Sequence, residues 1–83
     1  MAEEQVGTIT HYFSHIGVAA AKLTGDLKVG DRIRVKGHTS DVSTSIDSLQ
    51  IEHEQVDKGG SGQEVAFKLT EKVRPGDHVY RIS

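Results

Sequence analysis

Residues 31–36 read Asp-Arg-Ile-Arg-Val-Lys and alternate charged with apolar side chains, so that Ile33 and Val35 share one side of the chain. Successive side chains of a β-strand point to opposite faces, and this pattern therefore predicts a half-buried strand. Residues 65–69, Val-Ala-Phe-Lys-Leu, repeat the alternation, and no stretch places apolar residues at helical spacing. The sequence predicts an all-β chain.

Two segments have similar sequences and give the most specific turn predictions, namely residues 27–33 and 73–79. The second contains Pro-Gly, in which proline fixes φ at the first central position of a type II turn and glycine tolerates the positive φ of the second. A glycine-rich connector is predicted at residues 58–62, and Thr24-Gly25 is predicted to close a tight hairpin. The residues assigned to turns are Gly25, Gly30, Asp31, Gly62, Pro75, Gly76 and Asp77.

The remaining pattern predicts an opening pair of strands at residues 6–13 and 18–23, and a last strand near residues 79–82. The apolar phase changes between Ile46 and Leu49, which predicts a β-bulge or bend near Asp47-Ser48. Six or seven short strands with regular turns predict a small closed antiparallel β-barrel. Residues 1–4 are predicted to be a disordered tail and residues 5–83 a single domain.

The composition argues against several classes of function. The chain has 83 residues, a formal net charge of −2 and no cysteine. Such a charge argues against binding nucleic acid by bulk electrostatics, and the lack of cysteine excludes disulfides and thiolate metal sites. The acidic N-terminus and the absence of long apolar runs predict no export and no membrane insertion, so cytoplasmic residence is expected.

Residues 18–31, Val-Ala-Ala-Ala-Lys-Leu-Thr-Gly-Asp-Leu-Lys-Val-Gly-Asp, resemble the strand, turn and following stretch of domain II in translation-factor GTPases such as elongation factor Tu. Residues 45–51 are similar to a later strand of that domain, and the Pro75-Gly76-Asp77 turn follows in the same order. The resemblance implies a translation elongation factor-like protein with the domain II barrel. It also implies a binding module that contacts RNA or the translation machinery.

The nucleotide-binding elements of the parent GTPases are missing. Residues 59–62, Gly-Gly-Ser-Gly, lack the spacing and the Lys-Ser/Thr end of a P-loop. No Ser, His and Asp residues form a recognised catalytic constellation either. The sequence therefore predicts no enzyme activity, no bound nucleotide and no cofactor.

The first hairpin has the most unusual composition of the chain, and its residues His11, Tyr12, Phe13 and His15 form the first candidate binding surface. Exposed aromatic rings and histidines can stack on unpaired bases or anchor a protein partner. Alternatively, Tyr12 or Phe13 plugs one end of the core.

A row of three cations, Arg32, Arg34 and Lys36, forms the second candidate surface. Their two-residue spacing places them on one strand face, where they could track phosphate oxygens. Alternatively, the cations keep the strand soluble and protect it from edge pairing.

Three classes of partner follow from these surfaces. The preferred partner is RNA or a ribosome-associated component, and the alternative is a protein bound without any RNA. A metal or small ligand is the third class, but its candidate ligands do not share a face as strand residues. Those candidate ligands are His11, His15, His53, Asp77 and His78.

Overall fold

The structure is a computed structural model that describes residues 3–38, 41–69 and 71–82. Those residues form ten β-strands and no helix, so the predicted all-β class is confirmed. The strands are β1 (Glu3–Phe13), β2 (Val18–Leu23), β3 (Leu27–Lys28), β4 (Arg32–Lys36), β5 (Asp41–Ser45), β6 (Leu49–Ile51), β7 (Glu54–Val56), β8 (Lys58–Gly59), β9 (Glu64–Lys68) and β10 (His78–Ile82).

Eight of the strands form one antiparallel sheet in the order β5-β4-β10-β1-β2-β9-β6-β7, and β3 pairs with β8 in a separate ribbon. The predicted closed barrel of six or seven strands is therefore wrong, because β5 and β7 end the sheet without pairing with each other. Only Asp57 separates β7 from β8, and β8 pairs with β3 instead of extending the sheet towards β5.

The core consists of apolar side chains that alternate along the strands with outward-facing ones. Ile33 and Val35 are fully buried on β4 while Arg32 between the turn and Ile33 is exposed, and Val65 and Phe67 are buried on β9. Removing these side chains from water is the main favourable term in folding. The other core residues are Val6, Ile9, Ala19, Ala21, Leu23, Leu27, Val42, Ile46, Leu49, Leu69, Val73 and Val79.

The phase change in the middle of the chain separates two strands with different partners. β5 pairs with β4, whereas β6 pairs with β7 and β9. Between them, Ile46 bonds through its backbone to the preceding turn, accepting from the Gly30 N–H at 2.8 Å and donating to the Asp31 carbonyl at 2.9 Å. The predicted bulge at Asp47-Ser48 is thus a connection between strands.

Three turns, at residues 28–31, 60–63 and 74–77, share one hydrogen-bonding scheme. In each, the N–H of the fourth residue donates to the carbonyl of the first at 3.1 Å. The side chain of the fourth residue, Asp31, Gln63 or Asp77, accepts the N–H of the first at 3.1, 2.8 and 3.0 Å. The third residue is a glycine with φ of 95°, 88° or 96°, a conformation that L-residues rarely adopt.

Thr24-Gly25 does not form the predicted tight hairpin, because β2 and β3 lie in different sheets. Both of its N–H groups donate to the carbonyl of Val6, at 2.7 and 3.2 Å. The chain therefore crosses from the main sheet to the ribbon at this point while staying attached to β1.

Two register shifts interrupt β1, one between Gln5 and Gly7 and one between Ile9 and His11. The second leaves Thr10 as the extra residue of a β-bulge, which changes the phase of the side chains that follow. Ile9 and Tyr12 lie opposite the fully buried Ala21 and Ala19, so both face the core despite their odd spacing. His11 and Phe13 are turned to the outer face.

The strand β1 begins at Glu3, so residues 3 and 4 of the predicted tail pair with β10. Residues 1 and 2 of that tail lie outside the described residues. Arg81 donates to Glu4 at 2.9 Å and to the Asp26 carbonyl at 3.0 Å, which ties the start of β1 to the ribbon.

Candidate functional site

The bulge at Thr10 divides the residues of the first hairpin between two faces. Tyr12 is half-buried and packs against the core, as the alternative reading of this hairpin proposed. His11 and Phe13 stack on the outer face with ring centroids 6.1 Å apart and planes inclined by 28°. His15 and Ile16 are exposed in the turn at the tip, where Ile16 is 58% exposed.

A concave surface of about 530 Å³, named here the outer-face trough, lies beside the stacked pair. Its base is one row of residues in register across β1, β2, β9 and β6: His11, Ala20, Ala66 and Gln50. The two alanines in the middle of the row are too small to fill the space between the outer side chains. The trough is lined by His11, Phe13, Ala20, Gln50, Ile51, Glu52, His53, Gly62, Gln63, Glu64, Val65 and Ala66.

The charged residues of the lining are all acidic, because it contains Glu52 and Glu64 and no lysine or arginine. Glu64 is held in place, since the Thr10 hydroxyl donates to its Oε2 at 2.7 Å. The same hydroxyl lies 3.2 Å from the Ala20 carbonyl. Lys22 lies opposite Glu64 in the β2–β9 register, next to this end of the trough.

One wall of the trough is a two-residue hairpin turn in an unusual conformation. Ile51 pairs with Glu54 across it, and both residues between them, Glu52 and His53, have positive φ, at 52° and 67°. Turns of this kind are normally built from Asn and Gly, because other residues pay a steric penalty there. The chain thus places a carboxylate and an imidazole at two positions where Asn and Gly would have less backbone strain.

The predicted cation row is less available to a ligand than the trough, because two of its three members are paired with carboxylates of the protein. Arg34 donates to both oxygens of Asp41 at 2.8 Å and lies 3.4 Å from Glu3. Lys36 lies 3.0 Å from Glu3, and its Nζ is 5.4 Å from the ring centroid of Tyr80, within cation–π range. The third member, Arg32, is exposed.

These pairs shift the titration of the carboxylates. The hydrogen bond from Arg34 holds the pKa of Asp41 below its usual value, and Asp41 in turn raises the pKa of Arg34. Lys36, followed by Arg34, holds the pKa of Glu3 below its usual value. Arg34 and Lys36 are therefore largely neutralised within the protein itself.

The histidines and aspartate considered as metal ligands do not come together. Within residues 3–38, 41–69 and 71–82, no three His, Cys, Asp or Glu side chains form a group that could hold a metal ion. Asp77 is buried and belongs to its turn, while His78 Nδ1 lies 3.0 Å from Gln5 Nε2.

The described part of the chain also contains no helix of the length and apolarity needed to span a membrane.

A second concave surface of about 520 Å³ lies where the β3–β8 ribbon meets β10. Lys28 and Lys58 are directly opposite each other there, but Asp26 and Asp31 line the same space. Arg81, the remaining cation, already bonds within the protein. This mixed lining indicates no single kind of ligand.

Sequence reasoning identified His11 and Phe13 but missed Gln50, Glu52 and Glu64 in the rest of the lining, and it considered His53 only as a metal ligand. One signal was available in the sequence. Ala20 and Ala66 occupy outward-facing positions in the middle of predicted strands, where a larger β-former is the usual choice.

No family model matches the chain. Curated relatives do, namely a protease and two collagenases. An uncharacterized protease of Methanocaldococcus jannaschii is 36% identical over 79 residues, covering 94% of this chain and 19% of the relative. A collagenase of Porphyromonas gingivalis is 37% identical over 79 residues, covering 93% of this chain and 22% of the relative. The chain thus spans about a fifth of the length of the curated relatives it matches.

Several solved structures share the fold of the chain. The C-terminal domain of a Geobacillus thermoleovorans protein assigned as a U32 peptidase superposes with a TM-score of 0.90, at 19% identity, covering 96% of this chain and 93% of that one. Its selenomethionine variant gives 0.87, at 20% identity, with 92% and 96% covered. GDP-bound aIF5B from Aeropyrum pernix gives 0.76, at 23% identity, but only 17% of that chain is covered. Likenesses at these identities show the fold alone.

The comparisons correct the functional predictions. The identification as a translation elongation factor-like protein is wrong, as is the RNA-binding or non-enzymatic module derived from it, because the curated relatives are named as a protease and as collagenases. The prediction of no enzyme activity is wrong for the same reason. The translation-factor resemblance rested on glycine turns and short apolar runs, which specify strand–turn geometry and can recur in unrelated functions.

Proposed function

We propose that the chain takes part in peptide-bond hydrolysis as the β-domain of a U32-type peptidase. The observation that carries this proposal is the sequence similarity to relatives named as protease and collagenases, at 36–37% identity over 79 residues. The superposition on the C-terminal domain of a U32-type peptidase, with 93% of that domain covered at a TM-score of 0.90, supports it at the level of the fold. In this role the outer-face trough holds the polypeptide.

The shape of the trough suits an extended polypeptide. Its floor at Ala20 and Ala66 carries only methyl groups, so a bound backbone can approach the sheet closely. The Phe13 ring, 42% exposed and stacked with His11, offers an apolar wall of the kind on which proline and other apolar side chains pack in aromatic-lined grooves. The side-chain amide of Gln50 can donate to and accept from backbone groups, and the amide nitrogen of Gln63 can donate while its oxygen holds the Gly60 N–H.

The first test is an NMR titration of the isotope-labelled protein with gelatin, chosen because two relatives are named collagenase, and with casein as a second polypeptide. Backbone amides of the residues lining the trough are expected to shift. Amides of β5, at the far end of the sheet order from β6 and β7, are expected to stay in place. Newly formed amino groups, measured with fluorescamine in the same samples, report hydrolysis.

A variant that fills the trough tests the site, and the same substitution on β5 serves as its matched control. Ala20→Arg places a long side chain on the floor, and polypeptide binding is expected to be lost while the amide spectrum stays folded. Ser43→Arg adds the same side chain to an exposed position of β5 and is expected to bind as the unmodified protein does. If neither polypeptide moves an amide of the trough, or if Ala20→Arg binds normally, the trough does not hold the polypeptide.

A further inference from the structure

We infer that the Glu52–His53 turn is a specificity-determining element, and that through it the trough selects polypeptide segments carrying a basic side chain. The inference rests on the proposed function, since it concerns the polypeptide that the trough holds. It adds a preference that neither the fold nor the relatives supply.

The first observation is the charge of the lining. Glu52 on the turn and Glu64 on β9 are its charged groups, and it contains no lysine or arginine. The base of the trough presents the methyl groups of Ala20 and Ala66 near these carboxylates, and Ile51 adds an apolar wall. A lysine or arginine of the bound segment can therefore pack its apolar stem on these surfaces while its charged end meets an acidic group, in a charge-assisted hydrogen bond that is stronger than a neutral one.

The second observation is that the two carboxylates are differently engaged. Glu64 accepts from the Thr10 hydroxyl at 2.7 Å, so one of its oxygens is already engaged. For Glu52 and His53, the described residues provide no hydrogen bond and no ion pair to either side chain. Glu52 is thus the carboxylate with the larger remaining capacity to bind a cation.

The third observation is the backbone conformation. Glu52 and His53 adopt φ of 52° and 67°, where Asn-Gly would be favoured. A turn that served only to connect β6 with β7 would lose nothing by that replacement and would gain stability. Strained non-glycine residues of this kind are found where the side chain is needed at that position.

The test compares two short peptides of glycine, alanine and proline that differ at one central residue, which is arginine in one and citrulline in the other. Citrulline has nearly the same shape but no charge. The unmodified protein is expected to bind the arginine peptide about tenfold more tightly than the citrulline peptide. Binding is measured from the amide shifts of residues 50–53 and 64–66.

Three variants separate the contributions. Glu52→Gln removes the charge with little change in shape, and it is expected to reduce the arginine preference to about twofold. Glu64→Gln is expected to reduce it less, because that carboxylate is already engaged by Thr10. Glu71→Gln, an exposed carboxylate outside the trough lining, is the matched control and is expected to leave the preference unchanged.

The paired replacement Glu52→Asn with His53→Gly distinguishes recognition from structure. Recognition predicts a more stable protein that no longer distinguishes arginine from citrulline. A stable variant that keeps the full preference would overturn the inference, as would equal binding of both peptides by the unmodified protein. If gelatin shifts the trough amides while the peptides bind equally, only this inference fails; if gelatin produces no shift, the proposed function fails with it.

Discussion

The two carboxylate-bearing regions of the outer surface are built in opposite ways. Around β4 and the start of β1, Glu3 and Asp41 each bond a cation of the protein itself. Along the trough, Glu52 projects from a strained turn and the lining has no lysine or arginine. The comparison shows that the same residue types pair within the protein in one place and remain available to a ligand in the other, depending on whether the fold brings a cation within bonding distance.

The largest expected effect on stability is at the turn that precedes β10, where a carboxylate also bonds within the protein. Asp77 is buried, and its carboxylate accepts the Arg74 N–H at 3.0 Å. Asp77→Ala should lower the free energy of unfolding by about 2 kcal/mol, because the part-buried N–H of Arg74 loses its partner. Urea unfolding followed by circular dichroism measures this loss.

A double-mutant cycle sharpens that result. A methyl group on Gly37 would clash with the Asp77 carboxylate, so Gly37→Ala should destabilise the unmodified protein. In the Asp77→Ala background the same change should cost little, giving a coupling energy on the order of 1 kcal/mol. Equal costs in both backgrounds would contradict the assigned contact.

Neighbouring aromatic residues of the first hairpin should separate stability from binding. Tyr12→Ala removes a side chain that packs on the core and should lower the free energy of unfolding by roughly 2 kcal/mol. Phe13→Ala, at a 42% exposed position, should change stability much less but weaken gelatin binding about tenfold. Unfolding curves and amide titrations of both variants test the pair. Comparable losses of binding in the two would break the distinction between the two faces.

The Asn-Gly replacement of the Glu52–His53 turn should raise the free energy of unfolding by about 1 kcal/mol, because it relieves two positive-φ residues. Thermal and urea unfolding provide the measurement. A destabilised variant would show that the wall of the trough depends on these side chains for folding.

The smallest expected effect is the loss of stability when acid protonates the carboxylates that pair with Arg34 and Lys36. Glu3 and Asp41 have lowered pKa values in the folded protein, so their contribution to stability is present above their unfolded pKa values and is lost as the pH falls through the folded ones. Carboxyl NMR shifts should place the midpoint of Asp41 below that of the same residue in Arg34→Gln. High salt should narrow the difference, since these charged groups are accessible to solvent.

Much of the local structure could be predicted, because it depends on neighbouring residues. Alternation located β4 and β9, and the shared turn residues anticipated the equivalent geometry of the turns at residues 28–31 and 74–77. Closure of the sheet could not be predicted in this way, since it depends on whether β5 meets β7. Residues 3 and 4 looked like a polar tail because their partners, Lys36 and Arg81, are distant in sequence.

The candidate site was only half visible for a related reason. His11 and Phe13 are close in sequence and stand out by composition, whereas the row from His11 through Ala20 and Ala66 to Gln50 exists only once four strands are in register. The bulge at Thr10 also hides which residues of the hairpin point outward. Pattern alone would have placed Ile9 and His11 on the same face.

The trough therefore depends on the bulge as much as on the identity of its residues. If Thr10 paired as a regular strand residue, alternation after Ile9 would exchange inside for outside along the rest of β1, turning Tyr12 towards solvent and His11 and Phe13 towards the core. Deletion of Thr10 would instead keep every side chain on its present face, because Ile9 and His11 already lie opposite the consecutive residues Ala21 and Ala20. This part of β1 can thus lose a residue without changing which side chains face outward, whereas an added residue in regular pairing would reverse them.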